Sequence, residues 1–165
     1  MNKTVTVLIP CYNESKSLPL LVPELEKIAL SNSQYNWEYL FINDGSRDGT
    51  LEVLRQLRHQ NQRVNYIDLS RNFGKEVAML AGFDNAKGDC TIIMDADLQH
   101  PPQVIPSMLK KWEEGYDDIY AKRLSRGKES RFRKRLSLMY WFYSLAVCIA
   151  VSKFGTLFFK LTKSY

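Results

Sequence analysis

The sequence predicts an α/β domain on a mostly parallel sheet with helices on both faces. Three observations lead there. Short β-branched or aromatic runs alternate with longer helical patterns, proline and glycine punctuate the ends of those patterns, and each run empties into a polar loop. The runs at residues 4–10, 37–43, 64–70, 90–95 and 118–122 are read as strands. Residues 18–31, 50–60, 75–86 and 102–114 are read as helices. Pro101 and Pro102 suit a helix start, and Gly88 and Gly115 suit stops just beyond helix ends.

With 165 residues, 45% hydrophobic and 25% charged, the chain can bury one real core, which excludes disorder as the default. Cys11, Cys90 and Cys148 show no metal-ligand spacing, and their odd number leaves no complete disulfide framework. They read as small apolar residues in a reducing compartment. No internal repeat or low-complexity stretch is present.

The net charge of +5 conceals a division at residue 121. Residues 1–121 hold 12 Lys/Arg against 17 Asp/Glu, whereas residues 122–165 hold 11 against 1. A nucleic-acid partner is not expected, because its contacts would be spread over the folded part. A basic segment leading into an aromatic, apolar stretch points instead to an anionic membrane surface. Residues 136–151 carry no charge, but these 16 residues fall short of the ~20 that an untilted membrane-spanning helix requires. A helix here is expected to lie in the interface, with Leu138, Trp141, Phe142, Leu145 and Ile149 on its apolar face. Packing of that helix on the sheet or on a partner subunit is the competing reading, and a homo-oligomer is left open. The division proposed is a ligand-binding domain at 1–123 and a basic, helical, interfacial tail at 124–165. The apolar run at 5–10 is too short for a signal peptide and has no cleavage site, so the folded part is expected to face the cytoplasm.

Open parallel sheets bind ligands beyond the carboxyl ends of their strands, which directs attention to the four polar loops. In Asp95-Ala96-Asp97 the period-2 geometry of a strand end can send both carboxylates the same way, with Gln99 following on the turn. Hard oxygen ligands of this kind suit Mg²⁺ or Mn²⁺ with positions left for diphosphate oxygens. A bare Asp-x-Asp is equally served by a helix cap at Asp97 and a solvated Asp95. The neighbouring loops shift the balance. Asp44, between Asn43 and the glycines Gly45 and Gly49, offers an acceptor for a base or ribose, while Asp48 or Thr50 makes the turn into the next helix. Pro10, Tyr12 and Glu14 can cradle a base. Arg71 and Lys75 flank Gly74 near a helix start, where backbone N–H groups also favour anions. Arg123 heads the basic segment and can fork onto a diphosphate.

Taken together, Ile9-Pro10-Cys11-Tyr12-Asn13-Glu14, Asn43-Asp44-Gly45-Ser46-Arg47-Asp48-Gly49-Thr50, Arg71-Asn72-Phe73-Gly74-Lys75-Glu76 and Met94-Asp95-Ala96-Asp97-Leu98-Gln99-His100-Pro101-Pro102 closely resemble the family-2 inverting glycosyltransferases. Within that family the motifs resemble the branch of dolichyl-phosphate mannosyltransferases and bactoprenol glucosyltransferases. The resemblance covers roughly residues 4–145. It implies a GT-A-like, Rossmann-like fold, a nucleotide-diphosphate sugar donor such as UDP-glucose or GDP-mannose, and a polyprenyl phosphate acceptor at the cytoplasmic membrane face. By position, Pro10, Tyr12, Glu14, Ile42 and Asp44 would hold the nucleoside. Asp95, Ala96, Asp97 and Gln99 would hold the diphosphate and the metal, and Arg123 the phosphates, with Asp95, Asp97 and Arg123 carrying catalysis.

Relatives continue into a Gly-Asp-Phe-Arg-like segment that helps build the acceptor site. Residues 130–165 hold no Asp or Glu, so that acidic residue has no counterpart here. The chain is therefore expected to be a truncated, frameshifted or fragmentary form, and a catalytically inactive donor-binding or membrane-associating module is the first alternative. A nucleotidyltransferase, which also pairs aspartates on an α/β sheet, is the second. No G-x-G-x-x-G follows the first strand and no phosphate-loop pattern occurs, which argues against a dinucleotide oxidoreductase and a phosphate-loop ATPase.

Overall fold

The computed structural model describes residues 2–98 and 101–121 and the backbone of residues 158–160. In chain order the elements are β1 (Thr4–Cys11), α1 (Leu18–Ser31), β2 (Asn36–Asn43), α2 (Thr50–Gln60), β3 (Val64–Asp68), α3 (Lys75–Asn85), β4 (Cys90–Ile93), a 3-10 turn (Pro102–Val104), α4 (Ile105–Glu113) and β5 (Phe158–Lys160). The strands form one sheet in the order β3-β2-β1-β4-β5. Every pairing in it is parallel.

Alternation along β1 explains the layering. Val5, Val7, Ile9 and Cys11 point into the larger core with Leu21 and Leu25 of α1, Leu54 of α2, and Met108 and Leu109 of α4. Leu8 points the other way and packs with Leu40, Ile42 and Ala78, so α3 covers the opposite face. Gly82 allows this approach, because a Cβ there would lie 2.4 Å from Leu8 Cδ1. A sheet buried on both faces is the architecture expected from the sequence.

Several boundaries shift for reasons of pairing. β1 gains Cys11, which pairs with Asn43, and β3 stops at Asp68 because its partner β2 ends at Asn43. The predicted α4 opens as the 3-10 turn at Pro102. It closes with Gly115 N–H donating to Trp112 C=O at 2.9 Å and Tyr116 N–H to Lys111 C=O at 3.3 Å, the paired bonds of a glycine stop. Gly88 is not such a stop: it lies in the turn before β4, where a Cβ would meet Thr6 N at 2.7 Å.

The strand expected at 118–122 is corrected. Within its described part only Asp118 forms a bridge; Ile119 and Ala121 pack partly buried against the larger core while Asp118 and Tyr120 are exposed, so the run alternates without forming a regular strand. The fifth strand of the sheet is β5, which runs beside β4 where the sequence suggested a helical tail. The remainder of that tail, with its proposed interfacial helix, lies outside the described residues. Among the described residues no helix is long and apolar enough to cross a membrane.

Candidate donor-binding cleft

The chain enters the sheet at β1, moves outward through β2 and β3, then returns to the other side of β1 with β4. That reversal leaves a crevice beyond the carboxyl ends of β1 and β4. A cleft of about 430 Å³ opens there, lined by residues of all four loops, among them Tyr12, Glu14, Asp44, Lys75, Asp95 and Asp97.

The loops after β1 and β2 are laced together. Asn13, at φ 57°, donates its N–H to Ser46 Oγ at 2.9 Å, and its Oδ1 accepts from Arg47 N–H at 2.9 Å. Glu14 N–H donates to Thr50 Oγ1 at 2.8 Å, and Ser17 Oγ donates to the Glu14 carboxylate. The loops after β2 and β3 interlock through backbone. Gly45 lies so close to the next loop that a Cβ would sit 2.3 Å from Arg71 C.

Asp48 has the turn role expected of it. Its Oδ1 accepts from Thr50 N–H at 3.0 Å, and its Oδ2 accepts from Ser15 N–H at 3.2 Å. Desolvation pushes this carboxyl up, but the hydrogen bonds from Thr50 and Ser15 outweigh it and hold the group at about 2. Because that lies below the ordinary value of 3.8, the interaction stabilises the fold above about pH 4 and is lost as the pH falls towards 2. Asp48→Asn is expected to flatten the acid-side decline in unfolding free energy over that window. Parallel stability curves for the two proteins would contradict this.

After β4 the chain turns. Asp95 and Asp97 lie just past the strand rather than on it, yet the alternation survives: Ala96 is buried while both carboxylates remain half-buried at the cleft. Lys75, from the first turn of α3, contacts Asp95 Oδ1 through Nζ. Among the described residues the lining carries four carboxylates, on Glu14, Asp44, Asp95 and Asp97, against the one ammonium of Lys75. Such a cleft repels a diphosphate unless a cation intervenes, and two adjacent aspartates with open space before them supply hard oxygen donors of the kind Mg²⁺ or Mn²⁺ takes. The donor set therefore fits a divalent ion completed by ligand oxygens, although no cluster of three or more such side chains occurs among the described residues.

Of the expected contacts, Pro10, Tyr12, Glu14, Asp44, Lys75, Asp95, Ala96 and Asp97 converge on the cleft. Tyr12 lines the cleft and is 43% exposed, which leaves part of this aromatic residue accessible to a ligand. Ile42 does not line the cleft; its side chain is wholly buried beneath α3. Gln99 and Arg123 lie outside the described residues. The sequence reading assigned no role to Cys11, Asn72 or Ala78, which also line it. Asn72 shares a motif with Lys75, and Ala78 stands one helical turn beyond Gly74, so spacing alone could have found them. The Cys11 thiol is pushed well up by burial and then by Glu14. Cys90 is pushed up to about 12 by burial and then by Asp89. Both thiols stay protonated at neutral pH and serve as packing groups.

The profile of glycosyl transferase family 2 matches residues 6–162, and the chain belongs to that family. It is 38% identical over 144 residues to the prophage bactoprenol glucosyl transferase homolog of Escherichia coli (strain K12), covering 86% of this chain and 45% of that one. It is 36% identical over 152 residues to the bactoprenol glucosyl transferase of Shigella phage SfV, covering 90% of this chain and 48% of that one. The chain thus spans less than half the length of these relatives. In structure it is similar to the mannosyltransferase PcManGT of Pyrobaculum calidifontis, solved with GDP-Man and Mn²⁺, at a TM-score of 0.61 and 21% identity. That likeness covers 74% of this chain and 36% of the other, and it agrees with the GT-A-like fold expected from the motifs.

Proposed function

We propose that this chain carries the donor-binding half of an inverting glycosyltransferase that moves a hexose from a nucleotide-diphosphate sugar to a polyprenyl phosphate at the cytoplasmic membrane face. One observation carries the reading: four loops from separate strands meet at one cleft, with Lys75 on Asp95 and Asp97 in the same lining. The names of the bactoprenol glucosyl transferase relatives support the acceptor class.

In this reading Tyr12 stacks on the base, and Glu14 accepts hydrogen bonds from the nucleoside. Asp95 and Asp97 hold the divalent ion, which when bound supplies positive charge to the diphosphate. Gln99 completes the ligand set and Arg123 reaches the phosphates, as their motif positions imply. Lys75 adds an ammonium on the same side, so charge on the leaving diphosphate is countered as the anomeric C–O bond breaks. The acceptor phosphate is already anionic at neutral pH, so its oxygen attacks from the opposite face without a strong general base. The basic segment after residue 121 would bring this cleft to an anionic lipid surface.

Incubation with radiolabelled UDP-glucose or GDP-mannose, Mn²⁺ and polyprenyl phosphate in anionic liposomes is expected to move label from one donor into the lipid phase. Donor binding without transfer would make the chain a binding module. Absence of both would sink the proposal.

A further inference from the structure

Asp44 is only 3% exposed, and its two oxygens are divided between adjacent backbone donors. Oδ1 accepts from Phe73 N–H at 2.7 Å, and Oδ2 accepts from Gly74 N–H at 2.9 Å. The Asp44 N–H in turn donates to Cys11 C=O at 2.9 Å, which ties the residue to the end of β1. Charge-assisted bonds from a buried carboxylate are strong and directional, so they fix the backbone they grip. What they grip is the segment that launches α3: Gly74 is its N-cap, at φ 97°, and Lys75 is its first residue. Lys75 Nζ then reaches Asp95.

Resting on the donor-site reading above, we infer that Asp44 is a positioning residue for the diphosphate end of the cleft. By clamping Phe73 and Gly74 it holds the start of α3 where Lys75 stands beside Asp95. This influence reaches the diphosphate through Lys75, separately from any contact Asp44 makes with the nucleoside. Asparagine in its place would keep one acceptor but turn an NH₂ against the other N–H, leaving that contact repulsive.

The test is calorimetry with Mn²⁺ and three ligands: inorganic pyrophosphate, UDP and GDP. Asp44→Asn is expected to weaken Mn²⁺-pyrophosphate binding about tenfold, and to change it less than about twofold once Lys75→Gln is already present. Such non-additivity would not follow from a general loosening of structure, which multiplies with an independent change. Gly74→Ala offers a second route should Asp44→Asn not fold. It leaves Asp44 intact, and its nearest neighbour would be Glu76 Oε2 at 3.9 Å, but φ 97° disfavours a side chain and disturbs the same launch point. It is expected to reproduce the loss of pyrophosphate binding. Unchanged pyrophosphate binding in either folded variant overturns the inference, as does an equal effect of Asp44→Asn with and without Lys75. Loss confined to UDP or GDP would make Asp44 a nucleoside contact. A wild-type protein that binds none of the three ligands would overturn the donor-site reading itself.

Discussion

Asp97→Ala is expected to lower Mn²⁺-dependent nucleotide affinity by roughly a hundredfold, about 2.7 kcal/mol, while leaving the fold in place. The two halves of this expectation have separate causes. Asp97 is half-buried at the cleft, beyond the last residue of β4, and belongs to neither apolar cluster. Its removal creates no core cavity, so stability should shift by no more than about 1 kcal/mol. Binding is different. On the donor-site reading proposed above, the four carboxylates and one ammonium that line the cleft among the described residues repel a diphosphate, and ligand entry would depend on a cation gripped by the aspartate pair. Removing one of the two aspartate ligands would weaken that grip and leave Asp95 paired with Lys75. Calorimetry with and without Mn²⁺, beside a thermal melt, reads both halves. Equal metal-dependent affinity in mutant and wild type would show that the ion is held elsewhere.

Much of the fold is legible in the residues because two signals coincide. Strands such as β1 and β2 are long β-branched or aromatic runs, and the helices between them have the length and punctuation that crossovers need. The errors fall where a partner decides the outcome. A strand ends when its neighbour ends, as Asp68 does opposite Asn43, and no local pattern encodes that. The run after Gly115 has β-like composition and sets Ile119 and Ala121 against the core, yet it forms only a bridge, which no local pattern distinguishes from a strand. The site was legible as a set of residue types at strand ends, so Tyr12, Glu14, Lys75, Asp95 and Asp97 arrive together. What joins the loops to one another was not. The bonds from Asn13 to Ser46, from Arg47 to Asn13, and from Phe73 and Gly74 to Asp44 link residues about thirty positions apart. Ile42 illustrates the same limit: strand alternation places its side chain wholly buried under α3, beside Ala78.

Gly45→Ala is expected to cost roughly 2–5 kcal/mol of stability and to weaken donor binding along with it. Two penalties combine. At φ 61° the backbone is in the left-handed region, where a Cβ is disfavoured. The added atom would also lie 2.3 Å from Arg71 C and 2.5 Å from Asn72 N, and both are main chain, so no rotamer change can relieve the contact. The loop after β3 must move instead, carrying Asn72, Gly74 and Lys75 away from the cleft and stretching the Asp44 bonds to Phe73 and Gly74. Gly49→Ala is the natural control, since its Cβ would meet nothing nearer than Ser15 Cβ at 4.0 Å. Denaturant midpoints should fall for Gly45→Ala and stay close to wild type for Gly49→Ala, with Mn²⁺-dependent affinity following the same order. Equal midpoints in the two variants would mean that the loops after β2 and β3 are not in contact, and the four-loop cleft would lose the joint that holds its two sides together.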